Sequence, residues 1–196
     1  MVPRTGSIER ETLETKIKLA LELDGDGHFH GSSGIGFFDH MLQLWARHGG
    51  FDLFLEVQGD LEVDGHHTVE DVGICLGQVL ARALEDKKGI KRYGSAWIPM
   101  DEALVLAVVD VSNRPYLSIH LNLDNPRVGD FETELVEEFW RAFALHGGLT
   151  LHLKEEAGRN THHILEAVFK AVGRALKEAV TFDPREKGIP STKGIL

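Results

Sequence analysis

His48-Gly49-Gly50-Phe51-Asp52-Leu53-Phe54-Leu55 returns, at an offset of 98 residues, as His146-Gly147-Gly148-Leu149-Thr150-Leu151-His152-Leu153. Each copy reads as a helix end closed by glycine, then an alternating strand. Downstream, His66-His67-Thr68-Val69-Glu70 returns as His162-His163-Ile164-Leu165-Glu166 at an offset of 96, so the second connection is two residues shorter. An amphipathic helix follows each histidine pair, Val69 to Leu84 and Ile164 to Val180. With the pairs in their opening turns, these helices run over about 66–84 and 162–180. Similar text in the same order at nearly the same spacing means that one structural unit is used twice.

Working outward, each half opens with strand-like text. Thr15 to Leu23 alternates and meets the turn Asp24-Gly25-Asp26-Gly27. In the second half Ala103 to Val111 is a buried-type strand and Tyr116 to Leu123 alternates. Helices from Phe38 to Arg47 and from Glu132 to Leu145 follow in corresponding places. Each half therefore reads strand, strand, helix, strand, helix. The expected fold class is α+β: two similar half-domains, each a small sheet with helices on one face, packed as a pseudo-dimer. The expected division is 1–93, 94–182 and an extended tail over 183–196, where proline and glycine recur.

A chain of 196 residues with 42% apolar content can build a sizeable core. Its formal charge of -10 argues against nucleic acid or an anionic membrane as partner, though a local basic pocket can still hold a small anion. The single Cys75 excludes an internal disulfide and fits a reducing, cytoplasmic setting. No apolar run is long enough to span a membrane, and no signal peptide is indicated.

The histidine pairs carry the chemistry. Residues three or four apart share a helix face, so His66 and His67 can each converge with Glu70, and His162 and His163 with Glu166. Neighbouring histidines point about 100° apart on a helix, so the two of a pair serve different ions more readily than one. Carrying the 98 offset back one helix aligns His40 with Glu138. Each half then supplies four groups: His40, His66, His67 and Glu70, and Glu138, His162, His163 and Glu166. Imidazole plus carboxylate suits Mn, Fe, Zn or Ni. Beside this stands the plain reading of a histidine pair as a helix cap, and of Glu137, Glu138 and Arg141 as a solvated face; the aligned duplicate favours metal.

Gly34-Ile35-Gly36-Phe37-Phe38-Asp39-His40-Met41-Leu42, His66-His67-Thr68-Val69-Glu70-Asp71, Gly158-Arg159-Asn160-Thr161-His162-His163-Ile164-Leu165-Glu166-Ala167 and Pro190-Ser191-Thr192-Lys193-Gly194 together resemble the imidazoleglycerol-phosphate dehydratases, from about Arg10 to Leu196. The resemblance implies half-domains like a domain of ribosomal protein S5. It implies dehydration of imidazole glycerol phosphate to imidazole acetol phosphate in histidine biosynthesis. It also implies two Mn2+ per active site and a homo-oligomer of twenty-four subunits with sites at subunit interfaces. By the same resemblance His40, His67, Glu70 and His162 hold one ion, and His66, Glu138, His163 and Glu166 the other. Arg92, Arg114, Lys170, Ser191 and Lys193 are expected to hold the substrate phosphate. Glu14 is expected to contact substrate and is a candidate acid/base, with Glu70 and Glu166 as others; Asp101 and Glu102 rank lower. The chain departs from the family at Gly36 and Phe38, where Pro and Leu are common, and at Glu138, where histidine is common. The rival readings are a metal-storage protein and a metal-dependent hydrolase, neither of which needs the phosphate set.

Overall fold

The computed structural model describes residues 3–196. The first half runs β1 (Thr5–Glu11), β2 (Thr15–Glu22), β3 (Phe29–Ser32), α1 (Gly36–Gly49), β4 (Asp52–Gly59) and α2 (His66–Leu84). The second runs β5 (Tyr93–Met100), β6 (Ala103–Asp110), β7 (Tyr116–His120), β8 (Arg127–Val128), β9 (Phe131–Glu132), α3 (Leu135–Gly147), β10 (Thr150–Ala157) and α4 (Thr161–Val180). The sheets are ordered β1-β2-β4-β3 and β5-β6-β10-β7, the same topology twice. In each, the last pair (β3 with β4, β7 with β10) is parallel and the others are antiparallel.

The expected half-domain pattern is short by one strand in the first half and by three in the second, where β5 and the β8–β9 hairpin add to it, and it places no residues in β3. The opening strands β1 and β5 lie at sheet edges and carry weak signals. Ile8 is the one large apolar residue of β1, and β5 contains Pro99, which an edge strand tolerates because that N–H need not pair. The helix expected from Glu132 begins instead at Leu135. Phe131 and Glu132 pair with Val128 and Arg127 in a small hairpin, while the Thr133 N–H and Oγ1 are held by the carbonyls of Pro126 and Asn125. The strand expected to reach Leu123 ends at His120.

Side-chain alternation sets which face of each sheet meets the helices. Ile17, Leu19 and Leu21 of β2 and Leu53 and Leu55 of β4 are buried, as are Val105, Ala107 and Val109 of β6 and Leu151 and Leu153 of β10. Each such Ile, Leu or Val side chain contributes about 1.5–3 kcal/mol on burial, so a one-residue slip is prohibitive. The outer faces differ: the first exposes Lys16 and Lys18, the second Tyr93 and Trp97.

The helices form the middle layer. Each half's second helix packs on its own sheet and on the other half's first helix: α2 against α3, and α4 against α1. Glycine permits both crossings. A Cβ at Gly77 would lie 2.7 Å from the Phe143 carbonyl oxygen, and one at Gly173 would lie 2.6 Å from that of Trp45. These are equivalent positions under the repeat. Gly50 and Gly148 close α1 and α3 at φ 67° and 66°, left-handed caps that glycine adopts without steric cost.

Candidate active site

Both histidine pairs stand on the first turn of a helix, where backbone N–H groups lack helical partners. Asp64 accepts the His66 N–H at 2.7 Å, and Asn160, at the N-cap of α4, accepts the His162 N–H at 2.9 Å. The second histidine of each pair is oriented by a carboxylate. His67 Nδ1 lies 2.9 Å from Asp60 Oδ2, and His163 Nδ1 lies 2.7 Å from Glu102 Oε2. An ionised carboxylate only accepts, so each Nδ1 carries its hydrogen and each Nε2 offers a lone pair. Glu14 Oε1 is 3.6 Å from His67 Nε2, and Asp101 Oδ2 is 3.8 Å from His163 Nε2. Hydrogen bonding to Asp60 raises the His67 pKa, and hydrogen bonding to Glu102 raises that of His163. Glu102 is pulled down to about 2, first by His163 and then by the Asn160 N–H.

His40 of α1 and His162 and Glu166 of α4 form the one group of three candidate metal donors among the described residues, with ligand atoms within 4.8 Å of one another. Glu166 Oε2 lies 3.3 Å from His162 Nε2 and 3.7 Å from His40 Nε2. Its other oxygen accepts from Lys170 Nζ. Burial pushes the Glu166 carboxyl up, but Lys170 and the two imidazoles outweigh it and the pKa is lowered. The edge of Phe37 meets the His162 ring at 5.2 Å.

Within one chain this grouping cuts across the two sets implied by the resemblance: Glu166 joins His40 and His162, while His67 and Glu70 stand elsewhere. The equivalent set in the repeat is His66, Glu70 and Glu138. His66 Nε2 and Glu70 Oε2 approach to 4.0 Å, but Glu138 lies 3.6 Å from Arg141, whose guanidinium also binds Glu137.

Arg92 grips Asp110 with two donors, at 2.7 and 3.2 Å, and donates Nη1 to the Pro190 carbonyl at 2.9 Å. Arg114 reaches the same carboxylate at 3.4 Å. Arg92 thus anchors the tail, where the Ser191 hydroxyl accepts the Lys193 N–H. Four of the expected phosphate ligands therefore belong to one region, and Lys170 belongs with Glu166.

Asp60 was not anticipated from sequence, and Glu102 was undervalued. A signal for Glu102 existed: Thr15 and Ala103 open equivalent strands, which makes Glu14 and Glu102 counterparts at the two hairpin tips.

The family model described as imidazoleglycerol-phosphate dehydratase matches residues 33–176. The chain belongs to the imidazoleglycerol-phosphate dehydratase family. It is 63% identical to the dehydratase of Moorella thermoacetica over 98% of both chains. It is 55% identical to that of Desulforamulus reducens over 100% of both. Among solved structures, the Staphylococcus aureus dehydratase superposes with a TM-score of 0.83 at 44% identity, covering 91% of this chain and 99% of that one. The Pyrococcus furiosus dehydratase, solved in complex with (S)-C348, gives 0.82 at 36% identity, covering 96% and 100%. As a member of this dehydratase family the protein is a hydro-lyase of histidine biosynthesis.

The outer carboxylates make a testable point about this dehydratase. Replacing Glu102 by Gln removes the acceptor charge from the His163 Nδ1–H and weakens the hold on the Arg159 and Asn160 N–H groups. For a metal-binding His163 the expected result is a loss of about 10- to 100-fold in metal affinity, measured by titration with Mn2+. Unaltered affinity would mean that Glu102 serves only to cap α4.

Proposed function

We propose that this enzyme catalyses the metal-dependent dehydration of D-erythro-imidazole glycerol phosphate to imidazole acetol phosphate, using two Mn2+ per active site. The observation that carries the metal reading is the convergence of His40, His162 and Glu166. Their donor set, two imidazole nitrogens and one carboxylate oxygen, fits a divalent transition metal. His67 and His163, each with Nδ1 engaged by a carboxylate, have the outer support that metal-binding imidazoles require. His66, Glu70 and Glu138 complete the ligand set. When bound, the ions act as Lewis acids and as a template for the imidazole ring.

The reaction removes the C2 proton and the C3 hydroxyl of the glycerol chain as water, and the resulting enol becomes the ketone. A positioned acid/base must move the C2 proton. Glu14 suits this task, with Glu70 and Glu166 as the remaining candidates. The Thr12 hydroxyl accepts the N–H groups of Glu14 and Thr15 at 3.1 and 3.0 Å. Asp71 of α2 binds both Arg10 and the Thr15 hydroxyl. The β1–β2 hairpin that presents Glu14 is thereby tied to the helix that presents His67. Arg92, Arg114, Ser191 and Lys193 supply donors for the phosphate, whose paired oxygens suit forked guanidinium groups; Lys170, held by Glu166 within the chain, is the fifth by family resemblance.

The enzyme works as a homo-oligomer, of twenty-four subunits by family resemblance, with its sites completed between chains. Two features support association: Glu138 stands apart from its expected partners within one chain, and Tyr93, Trp97 and Tyr116 are 56%, 52% and 59% exposed on the second sheet. Such aromatic surface is typical of contact faces. No helix among the described residues is long and apolar enough to cross a membrane. We place the enzyme in the cytoplasm, with a small phosphorylated imidazole as its partner rather than nucleic acid or lipid.

The test is to strip metal with a chelator, reload Mn2+ and follow formation of imidazole acetol phosphate. Activity is expected to vanish and return. Full turnover by metal-free protein would sink the metal reading, and a loaded but inert protein would sink the substrate reading.

A further inference from the structure

The second half contains an insertion with no counterpart in the first. Between β7 and α3 lie residues 121–134, including β8 and β9, whereas only three residues separate β3 from α1. This insertion crosses to the first half. Asp130, at the tip of the β8–β9 hairpin, accepts the Gly36 N–H on Oδ2 at 2.9 Å and the Phe37 N–H on Oδ1 at 3.2 Å. Ile35, at the N-cap position of α1, makes no side-chain capping bond, so Asp130 satisfies N–H groups that the local sequence leaves open. Next to it, Phe131 stacks on Phe38 at 5.8 Å and tilts against Phe37 at 5.6 Å. At its other end the insertion meets α4, where the Asn125 N–H donates to the Thr161 hydroxyl at 3.3 Å.

These contacts fall on the opening turns of the two helices that deliver the three-donor group. His40 follows Gly36 by four residues on α1, and Thr161 immediately precedes His162 on α4. We propose that Asp130 is a positioning residue for metal capture: by capping α1 from the opposite half, it holds His40 against His162 and Glu166. Ligand groups must be held to within about 0.5 Å to act together. A cap that fixes the first turn of α1 helps meet that tolerance. The repeat provides an internal comparison. The first half has no such insertion, and its equivalent donors His66, Glu70 and Glu138 are not gathered within the chain.

This role rests on the metal reading above, and the experiment separates the two. Mn2+ affinity is measured on the full-length wild-type protein and on Asp130→Ala, Asp130→Asn and Gly36→Ala, by the electron paramagnetic resonance signal of free Mn2+, well below each protein's unfolding temperature. Asp130→Ala is expected to bind Mn2+ about tenfold more weakly, comparable to losing a group that orients a ligand, with turnover recovering at saturating Mn2+. Asp130→Asn, which keeps one oxygen acceptor, should fall between. Gly36→Ala keeps its N–H and adds a methyl at an ordinary 3.7 Å from Asp130 Oδ2, so it should bind as the wild type does. If Asp130→Ala does not fold, Asp130→Asn decides. A folded variant with lowered thermal stability and unchanged Mn2+ affinity would reduce Asp130 to a structural cap and overturn the proposal. A wild-type protein that takes up no Mn2+ would sink the metal reading itself, and this role with it.

Discussion

Glu14→Gln is expected to lower kcat by about 10²- to 10⁴-fold, the range that a positioned acid/base supplies, while the Mn2+ binding proposed for this enzyme is unchanged. The substitution is close to isosteric. The hairpin around it is held by Thr12, Thr15, Arg10 and Asp71 rather than by the Glu14 side chain. Its carboxylate is half exposed and 3.6 Å from His67 Nε2, so removing its charge changes the chemistry available to substrate without opening the core. Steady-state kinetics together with metal analysis check this. Near-normal turnover would remove Glu14 from the mechanism, and a parallel loss of metal would make it a ligand instead of an acid/base.

Glu166→Gln should have the second large effect, and it acts twice. Glu166 is 8% exposed, binds Lys170 through one oxygen and turns the other toward His40 and His162. The amide offers Lys170 a neutral acceptor in place of a charged one. A charge-assisted hydrogen bond is about twice as strong as a neutral one, so metal-free protein should lose on the order of 1 kcal/mol, a drop of roughly 2–4 °C in Tm for a chain of this size. The anionic donor to the ion is lost as well. The expected fall in Mn2+ affinity exceeds the roughly 100-fold that removing an outer group costs, and activity falls with it. Melting curves with and without Mn2+ separate the effects, because a ligand stabilises only the state that binds it. A lowered Tm with intact Mn2+ binding would leave Glu166 as no more than the partner of Lys170.

The elements with strong periodic text were legible in the chain. The helices at 66–84 and 161–180, the glycine-closed helix ends and the strands that follow them repeat in sequence and in space, because apolar spacing and a left-handed glycine cap are local properties. The weakly patterned edge strands β1, β3 and β5 were not legible, since an edge strand needs one pairing partner and little apolar content. The β8–β9 hairpin was hidden in what reads as the start of a helix. Pairing of Phe131 and Glu132 with Val128 and Arg127, and the Thr133 hydrogen bonds to Asn125 and Pro126, hold residues 131–134 outside α3.

The candidate site divides along the same line. That each of two imidazoles in the first turn of a long helix can reach a carboxylate in the second follows from residue spacing alone, because a helix places i, i+3 and i+4 on one side. Which carboxylate orients which histidine does not follow. Asp60 precedes its imidazole by seven residues and Glu102 by 61, and no periodicity links them. Nor could spacing join His40 to Glu166. That contact exists because α1 of one half packs on α4 of the other, at a crossing close enough to require Gly173. The sequence by itself determined the repeat, the helices and the chemical type of the donors. The tertiary structure decided which donors meet, because their meeting depends on helix packing across the pseudo-dimer and not on distance along the chain.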